Sequence, residues 1–172
     1  DWQSESRTLT LESEPVKTTV DAGTNYIMFS VQQQFDTGLI PEVNLVIGGH
    51  NLDAHLSKQY LPIKTPATLR KWLETAVVAA DVKEFAMAYR HGPPRNDVRA
   101  RTTQILMRAE NADIDYHPDW PGLRDLDMLV LVDDGYVEST AGAGNLGGNN
   151  IISAQAAYDS AVVPSERQLL VD

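Results

Sequence analysis

The chain has 172 residues, of which 42% are hydrophobic and 22% are charged. This length suits a single domain with a sizeable core, and we expect one domain over residues 1–172. The composition excludes a disordered or collagen-like chain, and no apolar run is long enough for a membrane-spanning helix. The absence of cysteine excludes disulfides, thiolate zinc sites and a cysteine nucleophile.

The net charge is −10, with 24 acidic and 14 basic residues. Such a surface repels nucleic acid and anionic lipid, because each phosphate must be met by a cation. Asp outnumbers Glu by 15 to 9, and Arg outnumbers Lys by 9 to 5. This pattern favours a protein that works in strong brine; an ordinary acidic protein is the alternative.

The chain begins at Asp1 without Met or an apolar signal core, so we expect that a preceding segment was removed or omitted. Residues 1–6 are polar except for Trp2 and are expected to form a flexible arm. Alternation with period two then predicts strands over residues 7–12, 16–20, 26–31 and 43–47. Turn residues lie between the second and third of these strands, and Gly48 and Gly49 are expected to end the fourth.

One inserted helix is predicted over residues 66–80, where apolar residues recur at helical spacing. Thr65 suits the N-cap, and Pro66 suits the first helical position. Trp72 lies on the apolar stripe and is expected to be buried. From Val82 to Arg90 the period changes to two, which predicts a strand, with continuation of the helix as the alternative.

The second half of the chain is again β-rich. Strands are predicted over residues 98–109, 126–132, 136–138, 151–156 and 168–171. Asp134 and Gly135 form a two-residue hairpin signal. The small residues from Ala141 to Asn150 predict a mobile or tightly turned loop.

About nine strands and one helix predict an all-β fold, an antiparallel two-sheet sandwich with the single jelly roll as its favoured form. Because successive strands lack intervening helices, a parallel doubly wound sheet is excluded.

The residues Gly142, Gly144 and Gly147 satisfy the G-x-G-x-x-G pattern. In a dinucleotide site these glycines follow a strand and begin a helix that holds the pyrophosphate. Here the following residues favour a strand, so the tract is interpreted as a flexible connector and no cofactor is predicted.

Residues 111–119 contain Asp113, Asp115, His117 and Asp119. Oxygen-rich loops of this kind can bind Ca²⁺, but the EF-hand spacing is absent. A solvated surface loop is the favoured interpretation, and a cation site is the alternative.

His50, Asp53 and His55 form a second metal candidate. Histidines five residues apart lie on opposite faces of a helix or strand, so only a loop could bring both onto one zinc ion. A pair of surface-loop histidines is the favoured interpretation, and no metal is predicted.

Five arginines, at positions 90, 95, 99, 101 and 108, lie within nineteen residues. They could form a patch for phosphate or an acidic partner. In so acidic a chain they more often supply counter-charges to neighbouring acids.

The sequence contains neither the G-x-S-x-G pattern of acyl-transfer enzymes nor the G-x-x-x-x-G-K-[ST] phosphate loop. No catalytic residue is therefore predicted. Spacing alone does not decide whether two carboxylates face each other as in glycosidases, so that alternative stays open.

From about Thr8 to Val171, the strand order, size and acidity resemble the small single-jelly-roll capsid proteins of icosahedral viruses, including membrane-containing viruses of haloarchaea and thermophilic bacteria. The resemblance implies a structural protein of the virion without enzyme activity. It also implies contacts with copies of itself and another capsid protein, with a membrane nearby but not spanned and no direct contact with nucleic acid. Residues 1–6 would then contact neighbouring subunits.

Two other classes stay open. One is a secreted carbohydrate- or ligand-binding sandwich, in which exposed Trp2, Trp120 or Tyr136 would stack on the ligand. The other is a hydrolase of the glycosidase type with paired carboxylates.

Overall fold

The computed structural model describes residues 2–3, 7–20, 23–35, 37–53, 71, 74–94, 100–159 and 170–171. These residues are almost entirely β-strand, which confirms the all-β prediction. The strands are β1 (Trp2–Gln3), β2 (Thr8–Glu12), β3 (Val16–Val20), β4 (Gly23–Gln34), β5 (Glu42–Asp53), β6 (Val77–His91), β7 (Arg101–Ile114), β8 (Leu123–Asp133), β9 (Tyr136–Leu146), β10 (Asn149–Ile151), β11 (Ala154–Asp159) and β12 (Leu170–Val171).

All twelve strands belong to one antiparallel sheet with the order β1-β2-β4-β5-β6-β7-β8-β9-β11-β12. From β4 to β9, each strand pairs with its neighbours in sequence. Strands β2 and β3 lie end to end along the same edge of β4, and β10 pairs with β9. Pro15 separates β2 from β3, because proline cannot donate to the ladder.

This topology does not confirm the two-sheet sandwich or the jelly roll. A sandwich stacks two sheets, and a jelly roll places strands that are distant in sequence side by side. Within the part of the chain that the structure describes, one sheet is present and its central strands form a meander.

Most predicted strands are confirmed where they lie among the described residues, and several are longer than predicted. The strand predicted over residues 151–156 is wrong as a single element, because β10 ends at Ile151 and β11 begins at Ala154. Strand β4 has 12 residues and β6 has 15. Gly48 and Gly49 do not end β5, because both are paired in the sheet and the strand continues to Asp53.

The predicted helix over residues 66–80 extends too far. Residue 71 and residues 74–76 are helical, but Val77 already begins β6 and pairs with Ile114. Residues 77–80 are Val, Val, Ala and Ala, which suit both periodicities, and pairing with β7 decides in favour of the strand. Residues 66–70 and Trp72 lie outside the described residues.

The glycine-rich tract is a β-hairpin and not a mobile connector. Most of residues 141–150 belong to β9 and β10, with Gly147 and Gly148 in the turn between them. Both turn glycines have positive φ, at 57° and 91°. Because the pattern lies in a strand–turn–strand unit, its context differs from the strand–turn–helix context of a dinucleotide site.

The hairpin predicted at Asp134 and Gly135 is confirmed. Asp134 has φ 52°, in the left-handed region that Asp tolerates better than most residues. Its carboxylate accepts a hydrogen bond from the Thr103 amide at 2.6 Å, and its own amide donates to the Thr103 carbonyl at 2.7 Å. The turn between β8 and β9 is thereby tied to β7.

The core lies at one end of the sheet, where the strands are irregular. Register shifts interrupt the β6–β7, β7–β8 and β8–β9 pairings there, and Asn111 and Asp125 have positive φ. Irregularities of this kind bend and twist a strand. We call this region the bulged end. It contains two clusters of buried side chains, Leu52 with Val82, and Leu126 with Ala109 and Ala112.

Candidate interaction surface

The pairing register assigns each strand residue to one face of the sheet. In an antiparallel pair, directly opposite residues share a face, and successive residues of a strand alternate between faces. One row of paired residues is apolar across seven strands, from β4 to β11. This row is Ile27, Ile47, Met87, Ile105, Val132, Val137 and Tyr158.

The rows on either side of it, on the same face, are also largely apolar. Together these residues define what we call the apolar face. Its large side chains are Leu9, Leu11, Ile27, Phe29, Val31, Val43, Leu45, Ile47, Phe85, Met87, Tyr89, Ile105, Met107, Val130, Val132, Val137 and Tyr158.

The opposite side, which we call the charged face, contains most of the polar side-chain contacts. Arg90 contacts Glu42 across β5 and β6, with 3.3 Å between Nε and Oε1. The Gln155 amide donates to Glu138 at 2.8 Å, and the Lys17 ammonium lies 5.9 Å from the centre of the Tyr26 ring. These side chains therefore have polar partners on the sheet itself.

Charge is distributed unequally between the two faces. Outside the bulged end, the paired carboxylates all fall on the charged face: Glu12, Glu42, Glu84, Asp133, Glu138 and Asp159. Outside the bulged end, the only paired basic residues on the apolar face are His91 and Arg101, which lie opposite each other at its margin. A chain with a net charge of −10 thus presents one face without a carboxylate over this region.

The apolar face is only partly covered. In its central row Met87 alone is buried, and Ile27 is 37% exposed. Phe29 is 38% exposed and Leu11 is 56% exposed, towards the β2 edge. Apolar faces of sheets are normally packed against another layer, because burial of apolar area is the dominant favourable contribution to folding and association. The exposure therefore identifies a candidate interaction surface.

The predicted cation loop has polar partners within the protein. Asp115 forms an ion pair with Arg124 at 2.5 Å, and Asp113 accepts a hydrogen bond from the Asp125 amide at 3.1 Å. The Asp119 amide donates to His117 Nδ1 at 3.2 Å. Among the described residues, no group of three His, Asp or Glu side chains is arranged to hold a metal ion.

The histidine pair predicted as a second metal candidate is only partly described. His50 is exposed on the charged face, where its ring meets Tyr26 edge-on with 6.2 Å between the centroids. Asp53 is the last residue of β5, and His55 lies outside the described residues. The pair as a whole therefore lies outside the described residues.

The arginine cluster is divided by the sheet. Arg90 and Arg108 lie on the charged face, where Arg90 contacts Glu42 and Arg108 is paired directly opposite Glu84. Arg101 lies on the other face, and Arg95 and Arg99 lie outside the described residues. For Arg90 and Arg108, this arrangement favours the counter-charge interpretation over a common anion site.

Of the aromatic residues named as ligand platforms, Trp120 is 65% exposed and Tyr136 is 40% exposed. The Trp120 ring meets those of Tyr116 and His117 edge-on, with centroid distances of 6.1 and 6.3 Å. Tyr136 is exposed beside Glu138; partial desolvation and, after it, the negative charge of Glu138 raise the pKa of Tyr136. Trp2 belongs to β1, at one end of the sheet order.

The apolar face as a continuous surface was not predicted from the sequence. Each strand shows its own alternation, but only the pairing register shows that Ile27, Ile47 and Met87 lie in one row. The signal that the sequence does contain is the placement of Glu42, Glu84 and Glu138. Each of these acids has the opposite parity within its strand to the residue that the strand contributes to the central apolar row.

No family model matches the chain, and neither a curated protein nor a solved structure matches it. Among the described residues, there is no helix with the length and hydrophobicity needed to cross a membrane.

Proposed function

We propose that this protein is a structural subunit of a virus capsid or a similar large symmetric assembly. It acts by associating with copies of itself and with a partner subunit, and it does not turn over a substrate. The observation that carries the proposal is the apolar face. This face is partly exposed, and its paired rows outside the bulged end, which we call the regular rows, contain no carboxylate. An exposed apolar area of this extent is typical of a surface that binds another protein.

The proposal includes the predicted two-sheet sandwich, with the single jelly roll as its favoured form. The single sheet of the described residues leaves its apolar face partly exposed, and a second layer about 10 Å away is how β-proteins normally cover such a face. The edges of the sheet give further support: among the described residues β3 is paired only with β4, and an unpaired strand edge can pair with another chain. Symmetric assemblies use both kinds of contact.

The charge distribution gives the proposal a testable salt dependence. With a net charge of −10, copies repel each other at low salt, and mobile ions screen this repulsion over about 10 Å at 0.1 M and about 3 Å at 1 M. We expect the mass measured by light scattering to increase with protein concentration, and to increase further as NaCl is raised from 0.1 to 3 M.

A chain that stays monomeric over the whole range of protein and salt concentration, with no partner protein co-purifying from its native source, would contradict the proposal. An osmotically matched sucrose series serves as the control, because sucrose strengthens burial without screening charge. If sucrose reproduces the whole mass increase, the chain associates with itself, but screening of its acidic charges is not the cause of the increase.

A second candidate is a secreted carbohydrate-binding module, and Trp120 is the observation that favours it. An exposed indole flanked by Tyr116 and His117 offers a flat apolar surface of the kind that stacks on a sugar ring. We expect Trp120→Ala to abolish any glycan affinity measured by calorimetry if this candidate holds. Unchanged affinity in Trp120→Ala, or no glycan affinity in the native chain, would remove it.

A further inference from the structure

The apolar face extends over enough of the sheet to make a stable contact. From β2 to β9 it covers seven strands, or six spacings of about 4.8 Å, which give a width of about 29 Å. Six residues along a strand add about 20 Å in the other direction, so the plane measures about 580 Å². Two such planes facing each other bury about 1,160 Å², more than the roughly 1,000 Å² that a specific protein–protein interface needs.

The charges restrict what can cover this surface. Acids on the charged face, such as Glu42, Glu84 and Glu138, would lie outside a layer that covered the apolar face. Contact between two acidic proteins is usually costly because carboxylates lose their hydration water. Here no carboxylate from the regular rows would be dehydrated. The acids of two copies would then be separated by both sheets, further than the Debye length of about 10 Å at 0.1 M salt, so the salt dependence of the measured mass arises mainly from the later contacts of the assembly.

A second copy of the chain also matches this surface in shape. Two identical sheets have the same twist, and sheets with the same twist pack with their strands inclined by about 30°. The row next to the central row contains Phe29, Leu45 and Tyr89, which lie opposite one another in β4, β5 and β6. This row supplies two aromatic rings. Large aromatic residues are the typical anchors of such contacts.

From these observations we infer that two copies of the chain pack face to face through their apolar faces, and that the resulting dimer is a sandwich made of one sheet from each copy. The inference rests on the proposed function and specifies its first contact. The occupant is a second copy because the area is sufficient, the regular rows of both faces lack carboxylates, and the geometry of the two sheets is the same.

Ile27 and Met28 provide a matched pair for the test. They are neighbours in β4 and point to opposite faces, and their exposures are similar at 37% and 42%. Because the chain contains no cysteine, Ile27→Cys and Met28→Cys each introduce the only thiol in the protein. The rate at which iodoacetamide alkylates that thiol then reports how well one face is covered.

We expect the alkylation of Ile27→Cys to slow by at least tenfold between a dilution at which light scattering shows monomer and a concentration at which it shows dimer. Met28→Cys should change by less than twofold over the same range. Circular dichroism of each variant establishes that the β structure is retained. If either cysteine variant is unfolded, Ile27→Asp and Met28→Asp replace them, and only Ile27→Asp should prevent the mass increase.

The possible failures can be told apart. Equal alkylation of both thiols in a sample of dimer mass would overturn the face-to-face contact and leave the proposed self-association intact. A monomer at every concentration would overturn both. Slow alkylation of Ile27→Cys already in the dilute monomer would mean that the chain covers its own apolar face. If the Ile27→Cys thiol is protected from alkylation only when phosphatidylcholine vesicles are added, the apolar face binds lipid. Self-coverage in the monomer and binding to lipid would each overturn the inference.

Discussion

Leu126→Ala is expected to lower the free energy of unfolding by about 3 kcal/mol, because it removes the largest side chain from the better-buried of the two core clusters. Leu126 is 3% exposed and packs with Ala109 and Ala112. The small size of these alanines makes the effect large, since neither can extend into the cavity that the substitution leaves. A loss of this size is a substantial part of the roughly 5–15 kcal/mol that stabilises a typical domain.

The measurement is urea denaturation at one fixed protein concentration, because association would otherwise contribute to the apparent stability. Leu131→Ala is the matched control: Leu131 lies in the same strand, on the charged face, and is 39% exposed. We expect it to cost at most about 1 kcal/mol, because little apolar area is lost and no cavity forms. Equal losses for the two variants would show that the bulged end is not the centre of the core.

The strands could be predicted because their information is local. Residues 26–31 and 43–47 are rich in β-branched and aromatic side chains, and Asp134 and Gly135 match a common hairpin turn. None of these signals requires knowledge of the rest of the chain. They predict that strands exist, but they do not predict how far each strand extends or which strand it pairs with.

The glycine-rich tract was mispredicted because small residues conceal the alternation on which strand prediction depends. From Ser139 to Gly144 in β9, both faces are occupied by Ser, Thr, Ala and Gly, which differ little in hydrophobicity. What makes this segment a strand is its pairing with β8 on one side and, on the other, with β11 as far as Ala141 and with β10 from Gly144 to Leu146. At Gly144 a Cβ would lie 2.5 Å from Leu126 Cδ2, so a small residue is needed there for core packing.

The bulged end could not be predicted for a related reason. Asn111 and Asp125 stand inside strands with positive φ, a conformation that Asn and Asp adopt more readily than most residues. Their presence in mid-strand is a usable signal for a bulge, but polar residues also occupy ordinary exposed strand positions. Only the pairing of Ala112 with Leu126 shows that the strands bend there and enclose a core.

Gly23→Ala is expected to cost about 3 kcal/mol or more, because backbone atoms occupy the space that the new methyl group needs. Gly23 begins β4 with φ 131°, a conformation that strains residues other than glycine. A Cβ at this position would contact the carbonyl oxygens of His50 and Asn51 in β5. Since both contacts are with backbone, no side-chain rotation relieves them, and β4 must move relative to β5.

Gly142→Ala is the matched control, because Gly142 lies within β9 and a Cβ there would have no heavy atom within 4 Å. In a strand interior, alanine is favoured over glycine by about 0.5–1 kcal/mol, so this variant should be unchanged or slightly more stable. Urea denaturation measures both variants, and hydrogen exchange of the β4 and β5 amides locates the change. For Gly23→Ala we expect faster exchange near His50 and unchanged exchange in β8. If Gly23→Ala is as stable as Gly142→Ala, the close approach of β4 to β5 at this end of the sheet is wrong, and with it the register that places Ile27 and Ile47 in one row.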